Sequence, residues 1–169
     1  MKKLIPAICI SMLLFTHCKV VKYTPDKLPT TQIVFGDGGG FAGIETSYTL
    51  LQNGQLFKQV GTEGKYEELR PIKSKEAKEF FKKVASLQLY KMDIEKPGNL
   101  YYFIREANDA IDSRVTWGAG DYLPPKALIS TYKDLKALAQ SQEVIREIAK
   151  TAATKKAKEK KKEEKKTDW

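Results

Sequence analysis

Histidine and cysteine are nearly missing from this chain: His17, Cys9 and Cys18 are all it has, and all fall at the extreme N-terminus. From Lys19 onward neither residue type occurs. That stretch therefore excludes Ser-His-Asp and Cys-His catalysis and the usual zinc, copper and haem sites, so no cofactor and no metal is expected. No disulfide can form there either, even in an oxidising compartment. Long apolar runs are absent too. The longest is Leu4 to Phe15, broken by Pro6, Cys9 and Ser11, whereas a membrane-spanning helix needs about 20 residues.

That short run, preceded by Lys2 and Lys3, has the make-up of a secretory signal, a basic n-region and an apolar h-region. It closes on Phe15-Thr16-His17-Cys18. A cysteine in that place resembles the lipobox of bacterial lipoproteins, although Phe15 and His17 differ from the usual leucine and small residue. The resemblance implies removal of residues 1–17, lipidation of Cys18, and attachment to the cell envelope through a lipid. Lys19-Val20-Val21-Lys22 has no acidic cluster of the kind that resembles a surface-export signal, which points to the periplasmic face of the outer membrane. Lys22 to Thr30, with Pro25 and Pro29, reads as an extended tether.

The formal net charge of +9 belongs mostly to the ends. Residues 1–17 carry +2 and residues 150–169 carry +5, nine lysines against four acids, which leaves +2 for the stretch between. A nearly neutral domain argues against nucleic acid as a partner. The tail TAATKKAKEKKKEEKKTDW cannot bury an apolar face and is expected as a frayed helix or a solvated segment. A tail of this kind that touches anionic lipid or polymer would make the protein an envelope tether.

The length and a hydrophobic content of 41% suit one compact core, expected over residues 31–149 and as a monomer. Its most legible part is Gln32 to Val60. Ile44, Thr46, Tyr48 and Leu50 alternate with polar neighbours at the period of a half-buried strand. Asn53-Gly54 then predicts a type I′ turn into a partner strand over Gln55 to Val60.

Upstream, Gly38-Gly39-Gly40-Phe41-Ala42-Gly43 has the letters of a dinucleotide-binding G-x-G-x-x-G. That motif works by opening a helix whose N–H groups hold a pyrophosphate, and here a strand follows. Nor does Gly-Lys-Ser/Thr follow, as a P-loop requires. The glycines are expected to form a bulge or corner. A sharper alternative is an anion-binding nest near Asp37, giving a possible ligand loop of Asp37, Gly38, Gly39, Gly40, Phe41 and Gly43.

Beyond the hairpin, Lys65 to Ile72 predicts an edge strand ended by Pro71. Ser74 then reads as an N-cap for an amphipathic helix over Lys75 to Leu87. Asn99 to Glu106 and Ser113 to Trp117 predict a second hairpin across Asn108-Asp109-Ala110. Lys126 to Ala139 follows Pro124-Pro125 as a second amphipathic helix, and its periodicity resumes at Val144, Ile145, Ile148 and Ala149. Ser130-Thr131-Tyr132-Lys133 has the letters S-x-x-K of penicillin-binding enzymes without the S-D-N and K-T-G that accompany them. Tyr132 reads as core and Lys133 as surface. No pair of carboxylates is singled out by spacing, so no catalytic residue is expected.

FGDGGGFAG, YTLLQNGQLFK, KPGNLYYF and VTWG together resemble a family of small lipoproteins of Bacteroidota with an FG-x-GGGF-x-G stretch leading into a hairpin. The resemblance covers about Thr30 to Ala139. It implies a secreted, lipid-anchored α+β domain and brings no catalytic residues with it. The expected fold is α+β, an antiparallel sheet of two hairpins with two amphipathic helices on one face. The expected function is a non-enzymatic, lipid-anchored module that binds an envelope protein or polymer. The alternative is a small periplasmic enzyme or inhibitor that uses the Gly36 to Gly43 loop.

Overall fold

The structure, a computed structural model, describes residues 21–61 and 65–148, and they form an α+β domain. Eight strands make one sheet: β1 Gln32–Gly39, β2 Thr46–Leu51, β3 Leu56–Val60, β4 Tyr66–Leu69, β5 Glu95–Lys96, β6 Leu100–Ala107, β7 Asp112–Trp117 and β8 Val144–Ile148. Two helices, α1 Ser74–Leu87 and α2 Lys126–Gln140, complete the fold. The strand order is β5-β7-β6-β1-β2-β3-β4-β8, which places β1 between the two hairpins.

The sheet is thus wider than the expected pair of antiparallel hairpins, and mixed. β5 pairs in parallel with β7, Glu95 beside Thr116. Two residues with no apolar alternation leave no strand signal. Only the docking of Thr116 N–H on the Ile94 carbonyl, at 2.8 Å, creates the strand.

β8 is the larger correction. Val144, Ile145 and Ile148 do not continue a helix; they pair with β4, with Tyr66 opposite Ile148 and Leu69 opposite Val144. The helix stops because Ser141 and Gln142 turn side chains onto the Leu138 carbonyl, and the open edge of β4 then captures the chain. Arg70–Glu143 at 2.6 Å, Arg146–Glu68 at 2.5 Å and Lys65–Glu147 at 3.5 Å cross the new ladder. β4 is therefore interior, and the exposed edge belongs to β8, guarded by the charges of Arg146 and Glu147.

Antiparallel register partners share a face, so Ile33–Leu50–Leu56–Leu69 and Tyr48–Phe35–Ile104–Val115 make two rows on one side of the sheet. Those residues join Ala77 and Val84 of α1 and Leu128, Tyr132, Leu135 and Ala139 of α2 in a single core. A leucine fully buried in this way contributes about 1.5–3 kcal/mol relative to an exposed one. Apolar spacing on both helices, read from the sequence, marks this buried stripe.

Local details differ from the expected ones at two turns. Among the described residues Asn53 has no positive φ, so its turn is not type I′. Gly54 N–H bonds the Leu51 carbonyl at 2.9 Å and Leu51 N–H bonds the Gln55 carbonyl at 3.0 Å, the pattern of a three-residue loop with a glycine bulge. Asn53 keeps a negative φ, with its Oδ1 accepting the Gln55 N–H and its Nδ2 donating to the Val21 carbonyl and Gln55 Oε1. Ser74 is the first helical residue rather than the N-cap, because Ile72 N–H bonds the Gly54 carbonyl and leaves Lys73 as the last extended residue.

The segment read as a tether is held at its start. Tyr23 N–H donates to Gln55 Oε1 at 2.7 Å, Gln55 Nε2 donates to the Tyr23 carbonyl at 3.1 Å, and Thr24 bridges Lys27 in a tight turn. Among the described residues no helix is long and apolar enough to cross a membrane.

Candidate functional site

The glycine stretch emerges from β1 at one end of the sheet, and its geometry explains most of its glycines. Gly36 and Gly38 are register partners of Phe103 and Tyr101. A Cβ on Gly36 would stand 2.1 Å from the Thr46 carbonyl oxygen and 3.0 Å from the Phe103 ring, and one on Gly38 would stand 2.5 Å from the Tyr101 hydroxyl. Aromatic rings thus cover the missing side chains across the ladder, the pairing known to rescue glycine in sheets. The expected corner is correspondingly shorter. Gly38 and Gly39 still belong to the strand, and the turn occupies only Gly40 to Gly43, closed by Gly43 N–H on the Gly40 carbonyl at 3.1 Å.

Gly39, Gly40 and Gly43 have φ of 98°, 72° and 59°, values that L side chains rarely adopt. Gly40 N–H bonds the Asn99 carbonyl at 2.7 Å. The turn holds Phe41 out at its tip, at 111% of reference exposure. Ile44, expected on the buried face of β2, precedes that strand and is exposed as well. Val60, which ends β3, and Leu100, which begins β6, are exposed at this same end.

Asp37 points to the helix side of β1. It accepts a hydrogen bond from the Tyr132 hydroxyl at 3.2 Å and pairs with the Lys136 ammonium. Tyr132 and Lys136 stand one turn apart on α2, so a single helix face delivers both. Lys136 also lies over the Tyr48 ring, 4.8 Å from its centroid. Around them Tyr132 meets Tyr102 and Trp117 edge-on, each at a centroid separation of 5.4 Å, and Tyr102 lies tilted against Trp117 at 6.1 Å. Burial, with the Asp37 carboxylate beside it, pushes the Tyr132 phenol far above its ordinary value.

On the opposite face Glu45 accepts from the Tyr101 hydroxyl at 3.1 Å and from Arg114 at 2.8 Å. The Arg114 guanidinium lies 3.8 Å from the Phe103 centroid, which closes that face over Gly36. Burial first, then the Glu45 carboxylate, raises the Tyr101 phenol.

The six residues of the possible ligand loop are therefore adjacent but divided in role. Asp37 anchors α2, Gly38 and Gly39 serve the sheet, and Gly40 to Gly43 form a turn that displays Phe41. Cys18 lies outside the described residues. Lys136 and Arg114 do not stand out in the sequence; the four-residue spacing of Tyr132 and Lys136 is the one available signal. Among the described residues no group of three histidine, cysteine, aspartate or glutamate side chains is placed to hold a metal.

No family model, curated protein or solved structure matches this chain. The residues themselves carry the functional reading.

Proposed function

We propose that this protein is a lipid-anchored component of the cell envelope that binds another envelope protein through the Phe41 end of its sheet. The observation that carries the reading is that four exposed apolar side chains, Phe41, Ile44, Val60 and Leu100, all stand at this one end of the sheet, with Tyr102 partly exposed beside Leu100 on β6. Exposed apolar side chains set around a turn are the make-up of a protein-binding patch. The signal sequence and Cys18 supply the reason to place it in the envelope.

The rival, a small enzyme or inhibitor, needs a polar group free to act beside the glycines. Asp37 instead engages Tyr132 and Lys136, and Glu45 engages Tyr101 and Arg114. These pairings favour binding over catalysis.

A photocrosslinking residue placed at Phe41 in cells tests the reading, with the same probe at exposed Lys133 as control. A discrete envelope-protein adduct at Phe41, absent at Lys133 and abolished by Leu100→Asp in a protein of unchanged melting temperature, is expected. Equal labelling at both positions contradicts it. So does a hydrolase activity that disappears when Asp37 or Glu45 is replaced by its amide.

A further inference from the structure

We infer that the domain stands upright on the membrane that anchors it, its β2–β3 turn and the start of α1 against anionic phospholipid headgroups and the Phe41 loop pointing away. The inference rests on the reading of Cys18 as the lipidated residue.

The geometry begins at Val21. Its carbonyl accepts Asn53 Nδ2 at 2.7 Å, and Tyr23 is fixed to Gln55 through both its N–H and its carbonyl. Cys18 precedes Val21 by three residues. An extended chain covers about 10 Å over that distance. A lipid on Cys18 therefore holds the β2–β3 turn close to the bilayer surface.

β1 sets the opposite end. Gln32 pairs with Leu51 beside this turn, whereas Gly39 leads into the Phe41 loop. Eight strand residues at about 3.3 Å each separate the two ends by about 25 Å. Since Ile72 N–H bonds the Gly54 carbonyl at 3.0 Å, the entry to α1 is locked to the turn and shares its orientation.

The surface at the anchored end has the chemistry of a headgroup contact. Lys22, Lys73, Lys75 and Lys78 are exposed there, and none is in an ion pair among the described residues. Farther along α1 the lysines are committed, Lys82 to Glu79 and Lys83 to Asp134. Lys78 also lines an open groove of about 680 Å³, together with Val21, Tyr23, Pro29, Asn53 and Ile72, and the other three lysines adjoin lining residues in the chain. Unpaired ammonium groups at the same end as a partly apolar groove complement lipid phosphates above acyl chains. The anchored end meets lipid, and the Phe41 end is left free for the protein partner.

The absence of a free thiol in the mature chain makes the test direct. Gln52→Cys on the turn and Ala42→Cys in the Phe41 loop, both exposed positions, accept a fluorophore in the full lipidated protein. The labelled proteins are reconstituted into vesicles of phosphatidylglycerol and phosphatidylcholine that contain a headgroup-bound quencher. Loss of most emission at Gln52→Cys and little at Ala42→Cys is expected. The contrast should shrink when phosphatidylglycerol is omitted or when Lys22, Lys73, Lys75 and Lys78 are changed to glutamine. Equal quenching at both sites in a protein of acylated mass overturns the orientation alone. A contrast indifferent to both the lipid charge and the lysines overturns the headgroup contact. An unacylated mass overturns the anchor reading and this inference with it.

Discussion

Gly36→Ala puts the account of the glycine stretch at risk. The new Cβ would stand 2.1 Å from the Thr46 carbonyl, about 1.3 Å short of the 3.4 Å at which ordinary contact begins. Backbone on both sides of the clash leaves little room to relax, because β1 is held by β2 on one side and β6 on the other. Overpacking of this kind costs about 1–3 kcal/mol, and the displaced Phe103 ring places the expected cost at the upper end. For a chain of this size each kcal/mol corresponds to about 2–4 °C in melting temperature, so a loss of about 4–12 °C follows. Gly120→Ala, with open space around it and no positive φ, is the control and should remain within about 0.5 kcal/mol. Thermal unfolding followed by circular dichroism reads both. Equal melting temperatures for the two variants would refute the argument that these glycines answer to packing.

Further expectations come from other sites. Leu135→Ala, at a fully buried position of α2, should cost about 2–5 kcal/mol in chemical denaturation. Tyr132→Phe removes the hydroxyl bond to Asp37 and should cost about 1 kcal/mol at neutral pH. The raised Tyr132 phenol also makes stability fall as pH climbs from about 10, where the unfolded phenol ionises first, and the phenylalanine variant should lose that part of the alkaline decline. Glu106 is 8% exposed and has no ion pair among the described residues; burial raises its carboxyl. Its contribution is thus present below the unfolded value of 4.5 and lost as pH rises, so Glu106→Gln should gain stability at pH 7 and no longer at pH 4. Phe41→Ser should leave the melting temperature unchanged and abolish the envelope-protein adduct formed when the photocrosslinking residue is placed instead at the exposed neighbour Ala42.

The α+β class, both helices and both hairpins were legible because each depends on local pattern: alternation, 3.6-residue spacing and turn residues such as Asn108. β8 was not, because apolar residues at Val144, Ile145 and Ile148 fit a helix as well as a strand. The free edge of β4, far away in sequence, decided between them. Gly36 and Gly38 alternate as strand residues do, yet their purpose becomes visible only with the register that sets Phe103 and Tyr101 across from them. The Asp37–Lys136 pair joins residues 99 apart and left no trace in any window. In the sequence Asp37 stands out for its place beside the glycines, whereas its structural work is to fasten α2.

Intact mass and membrane fractionation of the protein expressed in its native cells, beside Cys18→Ala, test the central claim most directly. The account predicts a mass equal to the chain from Cys18 plus acyl groups, with membrane association lost in the variant. A mass without acyl groups, or fractionation that the Cys18→Ala change leaves unaltered, would contradict it.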